Sequence, residues 1–212
     1  MVYYFTSNLV EPQAQLYMGK DKEENEVLIK YGLEKDVWFH VDKLSSAHVY
    51  VRLQEGQKWD SLPEELVNDC AQLTKANSIE GNKKDNITVI YTPWANLKKD
   101  GSMVAGQVGF KDSRQVKKIL IAQRENAIIN RLNKTKVEKF PDLQLEKENF
   151  MKAVRKKEQA AQMERKKEQA RIAQKHKDMK WQKEHAYDEL FKDMENQGIN
   201  NQNNEDWEDD FM

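Results

Sequence analysis

Two of the four histidines in this 212-residue chain fall within one short stretch, VWFHVDKLSSAHVYVRL, residues 37–53. His40 and His48 flank a polar turn that holds Lys43, Ser45 and Ser46. Imidazoles beside hydroxyls can do acid–base work on a phosphodiester, begin a metal site, or join aromatics and cations in holding a nucleic acid.

The elements around them narrow the choice. On a strand, side chains alternate faces, so Val37, Phe39 and Val41 share one side and Trp38 and His40 the other. After the turn Ala47, Val49, Val51 and Leu53 oppose His48, Tyr50 and Arg52. An antiparallel hairpin pairing Val41 with Ala47 sets His40 against His48, Trp38 against Tyr50, and Asp36 against Arg52. A metal centre needs a third and fourth ligand. Cys70 lies on the apolar stripe of a predicted helix, and His176 and His185 sit far along the chain. No metal and no cofactor are therefore expected. A carboxylate–His–nucleophile set is lacking as well, so the protein is expected not to be an enzyme, a phosphodiesterase or other hydrolase being the weaker alternative. Two readings stay open: a covered, packed face, or an open platform for nucleic acid.

The strand signals VYYFTS, VWFHV, AHVYVRL, NITVIYT, QVGF and VKKILIA all fall before about residue 122. Two helices interrupt them. DKEENEVLIKYG has an acidic front, apolar Val27, Leu28 and Tyr31, and Gly32 as its stop. SLPEELVNDCAQLTKANS has Ser61 as cap, Pro63 in the first turn, and Leu66, Cys70 and Leu73 at helical spacing. The fold class is α+β, a mixed or antiparallel sheet with two or three packing helices over residues 1–122. A docking helix over 123–140 keeps a stripe at Ala127, Ile128, Leu132 and Val137, and Pro141 ends it.

Residues 141–194, rich in Lys, Glu, Gln, Ala and Arg and free of Gly and Pro beyond Pro141, predict one long charged helix. Its apolar positions do not sustain a heptad seam. The hexapeptide RKKEQA occurs at 155–160 and again at 165–170. At ~100° per residue the second copy is turned roughly 80° from the first, so the charge of Arg155, Lys156, Lys157, Arg165, Lys166 and Lys167 wraps the helix. Residues 195–212 are acidic and Asn/Gln-rich, the composition of a disordered tail.

A net charge of −1 conceals this segregation. Residues 1–139 carry 21 Lys and Arg against 19 Asp and Glu, residues 140–183 carry 13 against 7, and residues 184–212 carry 1 against 10. A basic arm attracts RNA, DNA or an anionic membrane surface. There is no run of 18 apolar residues, hence no expected transmembrane segment, and no secretory leader pattern at the N-terminus. With the lone cysteine, which fits a reducing compartment, a cytoplasmic or nuclear location is expected, with peripheral membrane attachment as a variant. A mean hydropathy of −0.95 argues against one globule of this length.

Taken in order, YMGKDKEENEVLI, DVWFHVDKLSSAHVYVRL, YTPWANLKK and GQVGF resemble the NFACT-R domain. With INRLNKTKVEKFPDL, the charged helix and the terminal FM, the whole chain resembles the coiled-coil domain-containing protein 25 family. The resemblance implies RNA or nucleic-acid binding in a tRNA and ribosome context. It places the family pattern on Gly19, Lys20 and Asp21, on Asp36, Trp38, Phe39, His40 and Val41, on Ser46, His48, Val49 and Arg52, and on Tyr91, Lys98 and Lys99. After the lysine pair this chain reads KKDGSMVAGQVGF, without the prolines of larger relatives. Gly19–Lys20 ahead of a helix suits a phosphate, with Lys20 as the charge.

The reading is a non-enzymatic nucleic-acid-binding protein, RNA ahead of DNA. Its contacts are expected from Lys20, Trp38, His40, Lys43, Ser46, His48, Tyr50, Arg52, Lys98, Lys99 and the arm cations. The alternatives are a scaffold whose long helix docks a protein and a peripheral membrane-associated DNA-binding protein.

Overall fold

The computed structural model describes residues 1–198. Nine strands form, in chain order: β1 (Val2–Ser7), β2 (Ala14–Gly19), β3 (Asp36–Val41), β4 (Val49–Arg52), β5 (Ile87–Pro93), β6 (Leu97–Lys98), β7 (Gly109–Phe110), β8 (Lys117–Ile121) and β9 (Val137–Lys139). Four α-helices accompany them: α1 (Lys22–Tyr31), α2 (Glu64–Ala76), α3 (Asn126–Lys134) and α4 (Leu143–Gly198). Seven strands make one sheet in the order β8-β5-β3-β4-β2-β1-β9, every neighbouring pair antiparallel. β6 and β7 form a separate two-stranded ribbon. The α+β class holds, with the sheet wholly antiparallel.

Both faces of the sheet are covered. The period-two set Phe5, Leu16, Val37, Phe39, Val49 and Val51 packs against Leu66, Cys70 and Leu73 of α2 and Leu132 of α3. The opposite set, Tyr4, Tyr17, Trp38 and Tyr50, packs with Leu28 of α1, Leu97 of β6 and Leu143 of α4. This second layer is aromatic. Tyr17 stacks on Tyr50 at 5.0 Å between centroids and on Tyr4 at 5.7 Å.

Several local expectations are corrected. β2 (AQLYMG) is an interior strand with no counterpart among the expected strands; β6 and β9 are likewise additional. α2 is preceded by Pro63 with no side-chain cap, because Ser61 closes a separate 3-10 turn over Trp59–Ser61. In α1 Asn25, Leu28 and Ile29 are buried, whereas Val27 is exposed. Gly32 ends α1 at φ −56°, outside the left-handed region. Its need for glycine is spatial: a Cβ there would meet the indole of Trp94, whose N–H donates to the Ile29 carbonyl at 2.8 Å. The docking helix is shorter than expected, buries Ile129 and Leu132, and hands Val137 to the exposed strand β9.

The chain divides into two compact units, Met1–Lys152 and Ala153–Met212. The first therefore includes α3, β9 and the opening turns of α4. There Tyr31 donates to Gln144 Oε1 at 3.2 Å, Lys147 donates to the Lys30 carbonyl at 2.9 Å, and its ammonium lies 4.4 Å from the Trp94 ring centroid. In the second unit the described part of α4 is almost entirely exposed, and its aromatic residues include Trp181, Tyr187 and Phe191. Residues 199–212, with Trp207 and Phe211, and so nearly all of the acidic tail, lie outside the described residues.

Candidate nucleic-acid interface

β3 and β4 pair in the expected register, Asp36 with Arg52, Val37 with Val51, Trp38 with Tyr50 and Phe39 with Val49. The ladder does not reach Val41 and Ala47. The Val41 N–H donates to Ser46 Oγ at 3.0 Å, and Ser46 Oγ donates to the Ala47 carbonyl at 3.1 Å. The return strand is instead drawn toward the end of α2, where Ala47 N donates to the Asn77 carbonyl and Ser78 Oγ to the Ser45 carbonyl. Buried Lys75 braces that corner by donating to the carbonyls of Gly81 and Lys84. Lys43 turns the chain with φ 62°, a left-handed conformation uncommon for a non-glycine residue.

His40 and His48 meet as expected, their rings edge to face at 4.9 Å. Of the two readings left open, the structure shows the covered face: Trp38, Tyr50 and His48 are 1%, 0% and 2% exposed. The cover comes from Phe110 of β7, which meets Trp38 edge to face, and from the loop between β6 and β7. Trp38 Nε1 donates to His48 Nδ1 at 2.8 Å. Because indole N–H only donates, that nitrogen of His48 is an acceptor and the ring proton is on Nε2. Burial, reinforced by neighbouring His40, pushes the His48 pKa down to about 3. His40 is half-buried; burial lowers its pKa too, and its Nδ1–H donates to the Val41 carbonyl at 2.7 Å.

Two further expected contacts are structural. Arg52 Nε donates to Asp36 Oδ1 at 3.0 Å, and Asp36, fully buried, also accepts from Tyr17 Oη at 2.6 Å and Leu33 N at 2.9 Å. Burial opposes the Arg52 charge, but the Asp36 carboxylate outweighs it and the pKa is raised. Lys99 spends all three protons, on Glu26 Oε1 at 2.8 Å and on the carbonyls of Val104 and Gln107 at 2.9 Å each. Glu26 Oε1 also accepts from Gly106 N at 2.5 Å. Gly106 sits at φ 81°, where glycine is at ease. Together these contacts fasten the Lys99–Gln107 loop over the histidines.

At Gly19–Lys20 the chain passes from β2 into α1. Asp21 Oδ1 accepts from Glu24 N at 2.9 Å, so it caps α1, and Glu23 and Glu24 make the first turn acidic. Lys20 is exposed outside that cap, as are Lys43 on its turn and Lys98 in β6. Beside His40 a cleft of about 230 Å³ opens, lined by Lys22, Asn25, Ser45, Ser46 and His48 and by the cover loop at Val104–Gln107. Lys22, Asn25 and Ser45 were not among the expected contacts. Lys22 was visible only as one lysine in a charged helix start, and nothing local to the sequence placed it beside His40. Arg155, Lys156, Lys157, Arg165, Lys166 and Lys167 are exposed on α4 in the second unit.

Residues 1–112 match the family model described as the NFACT protein RNA binding domain. Over 149 residues the chain is 58% identical to Coiled-coil domain-containing protein 25 of Mus musculus, covering 70% of this chain and 72% of that one. The chain belongs to the coiled-coil domain-containing protein 25 family. The relative of that name in Danio rerio is 56% identical over the same coverage, and the homolog in Dictyostelium discoideum 48% identical over 73% of this chain and 74% of its own. The fold is similar to the C-terminal part of the fibronectin/fibrinogen-binding protein from Streptococcus suis, with TM-score 0.50 and 17% identity. That likeness covers 63% of this chain and 48% of the other. Among the described residues no helix is long and apolar enough to cross a membrane.

Proposed function

We propose that this member of the coiled-coil domain-containing protein 25 family binds single-stranded or locally unpaired RNA without turning it over. The matched RNA binding domain over residues 1–112 is the observation that carries the reading. Electrostatic contact comes from the exposed lysines of the first unit, Lys20, Lys22, Lys43 and Lys98, Lys22 lining the cleft, and from the arm cations between Arg155 and Lys167. Trp38, Tyr50, Arg52 and Lys99 build the surface from behind.

Binding without catalysis agrees with how the hydroxyls and imidazoles are used. The Ser46 hydroxyl is occupied as both acceptor and donor, and His48 Nδ1 is occupied by Trp38. DNA shares the phosphate chemistry, so it is a weaker second ligand in this reading. Fluorescence anisotropy with a labelled single-stranded RNA tests it. Affinity should fall steeply with salt, because cations that neutralise phosphates release counterions. A full chain that fails to bind RNA at low salt would remove the reading.

A further inference from the structure

Trp38 and His40 lie two residues apart on one face of β3, and their rings are parallel, 5.4 Å between centroids with 6° between planes. Trp38 is sealed; His40 is half-buried and borders the cleft. His48, the residue just before β4, approaches with its ring at 70° to that of His40, and so flanks it from the side. His40 itself lines the cleft together with Ser45 and Ser46, and one residue beyond Val41 the chain turns at Asp42 and Lys43. Asp42 is paired there with Lys118 at 3.4 Å, which offsets its charge.

We propose that one unpaired RNA base enters this cleft and stacks on the outer face of His40, extending the buried Trp38–His40 stack to the surface. The inference rests on the RNA-binding reading above and names the contact that reading lacks.

Three observations support it. Imidazole is among the rings on which splayed-out RNA bases stack, and burial keeps this one neutral and flat. Its orientation is locked, with the Trp38 indole behind it and Nδ1–H tied to the Val41 carbonyl, so little freedom is lost on binding. The cleft, about 230 Å³, is smaller than the roughly 300 Å³ at which pockets for whole drug-sized ligands begin; one flat ring with its sugar outside fits that scale. Lys22 on its wall is placed for the adjoining phosphate. Asn25, buried on the same wall, carries an amide oxygen with no hydrogen-bond partner.

The test uses the full-length protein, a 12-nucleotide single-stranded RNA carrying 2-aminopurine, and the variants His40→Ala, His40→Phe and His40→Lys, each checked for folding by circular dichroism. Stacking predicts that 2-aminopurine fluorescence is quenched on binding to the wild type. It predicts about tenfold weaker binding with His40→Ala, the size of one base–aromatic stack. His40→Phe should restore affinity and quenching, and His40→Lys should restore neither. If wild type binds RNA with a steep salt dependence while His40→Ala matches it in affinity and quenching, the stacking inference fails and RNA binding stands. A better ligand from His40→Lys than from His40→Phe would make the contact ionic and also overturn stacking. If the wild type binds no RNA, the reading beneath falls and this inference with it.

Discussion

The Trp38 indole donates to His48 Nδ1 at 2.8 Å inside a sealed layer. This bond assigns the proton of His48 to Nε2 and requires a neutral ring. A charged His48 would turn its acceptor into a second donor facing the indole N–H.

Stability should therefore depend on pH through His48. Its pKa is about 3 in the folded chain and near 6.5 when unfolded, so the unfolded state binds the extra proton between those values. Stability is complete above about pH 6.5 and is lost as the pH falls toward 3, at up to about 1.4 kcal/mol per pH unit. The direction at His40 is the same. Urea midpoints at pH 7, 5.5 and 4.5 should fall in that order. A midpoint that rises on acidification would contradict a neutral buried His48.

Removing the Arg52 guanidinium leaves the Asp36 carboxylate buried without its counter-charge. Arg52→Ala should cost about 3–5 kcal/mol, as breaking buried pairs does, with thermal unfolding as the readout. Arg52→Lys should recover little of that, since a lysine lacks the planar fork and its face on Tyr17. Measured on the folded protein at low temperature, RNA affinity should change less than twofold. A large loss of affinity with unchanged stability would make Arg52 a contact.

Glu26 clamps the cover loop. Burial raises its carboxyl pKa, but hydrogen bonds from Lys99 and Gly106 outweigh that and hold it below the usual range. The clamp thus contributes fully above the unfolded carboxylate pKa and is lost as the pH falls through the lowered folded value. Glu26→Ala deprives the Gly106 N–H of its acceptor. Hydrogen exchange at neutral pH should show faster exchange at Gly106, with the core strands unaffected. Protection unchanged at Gly106 would show the loop to be held by other contacts.

Replacing Arg155, Lys156, Lys157, Arg165, Lys166 and Lys167 together with Gln keeps helix propensity while removing the arm charge. The slope of log affinity against log salt should shrink by about 2, the effect of roughly three lost contacts at about 0.7 each for single strands. An identical slope would leave RNA binding to the first unit alone.

The pairing of Asp36 with Arg52 and Trp38 with Tyr50 was legible from the chain, because strand alternation and the matching apolar set of Val37, Phe39, Val49 and Val51 admit a single register. So were the α+β character and the long charged helix, each the product of local periodicity or propensity. β2 was not anticipated although Ala14, Leu16 and Met18 alternate. Its other face carries Tyr17, buried too, which blurs the period.

What residues 37–53 do depended on partners remote in sequence. Alternation placed Trp38, His40, His48, Tyr50 and Arg52 on one face, but exposure is not a local property. Phe110 and Leu143 lie far from the hairpin in the chain, and with Leu28 they meet it only after folding. Glu26 and Lys99, 73 residues apart, fasten the loop that covers the histidines. Sequence determined which side chains share a face, through the two-residue period of a strand. Tertiary structure decided which of them water can reach: it buried Trp38, His48 and Tyr50, and left His40 lining a cleft with Lys22.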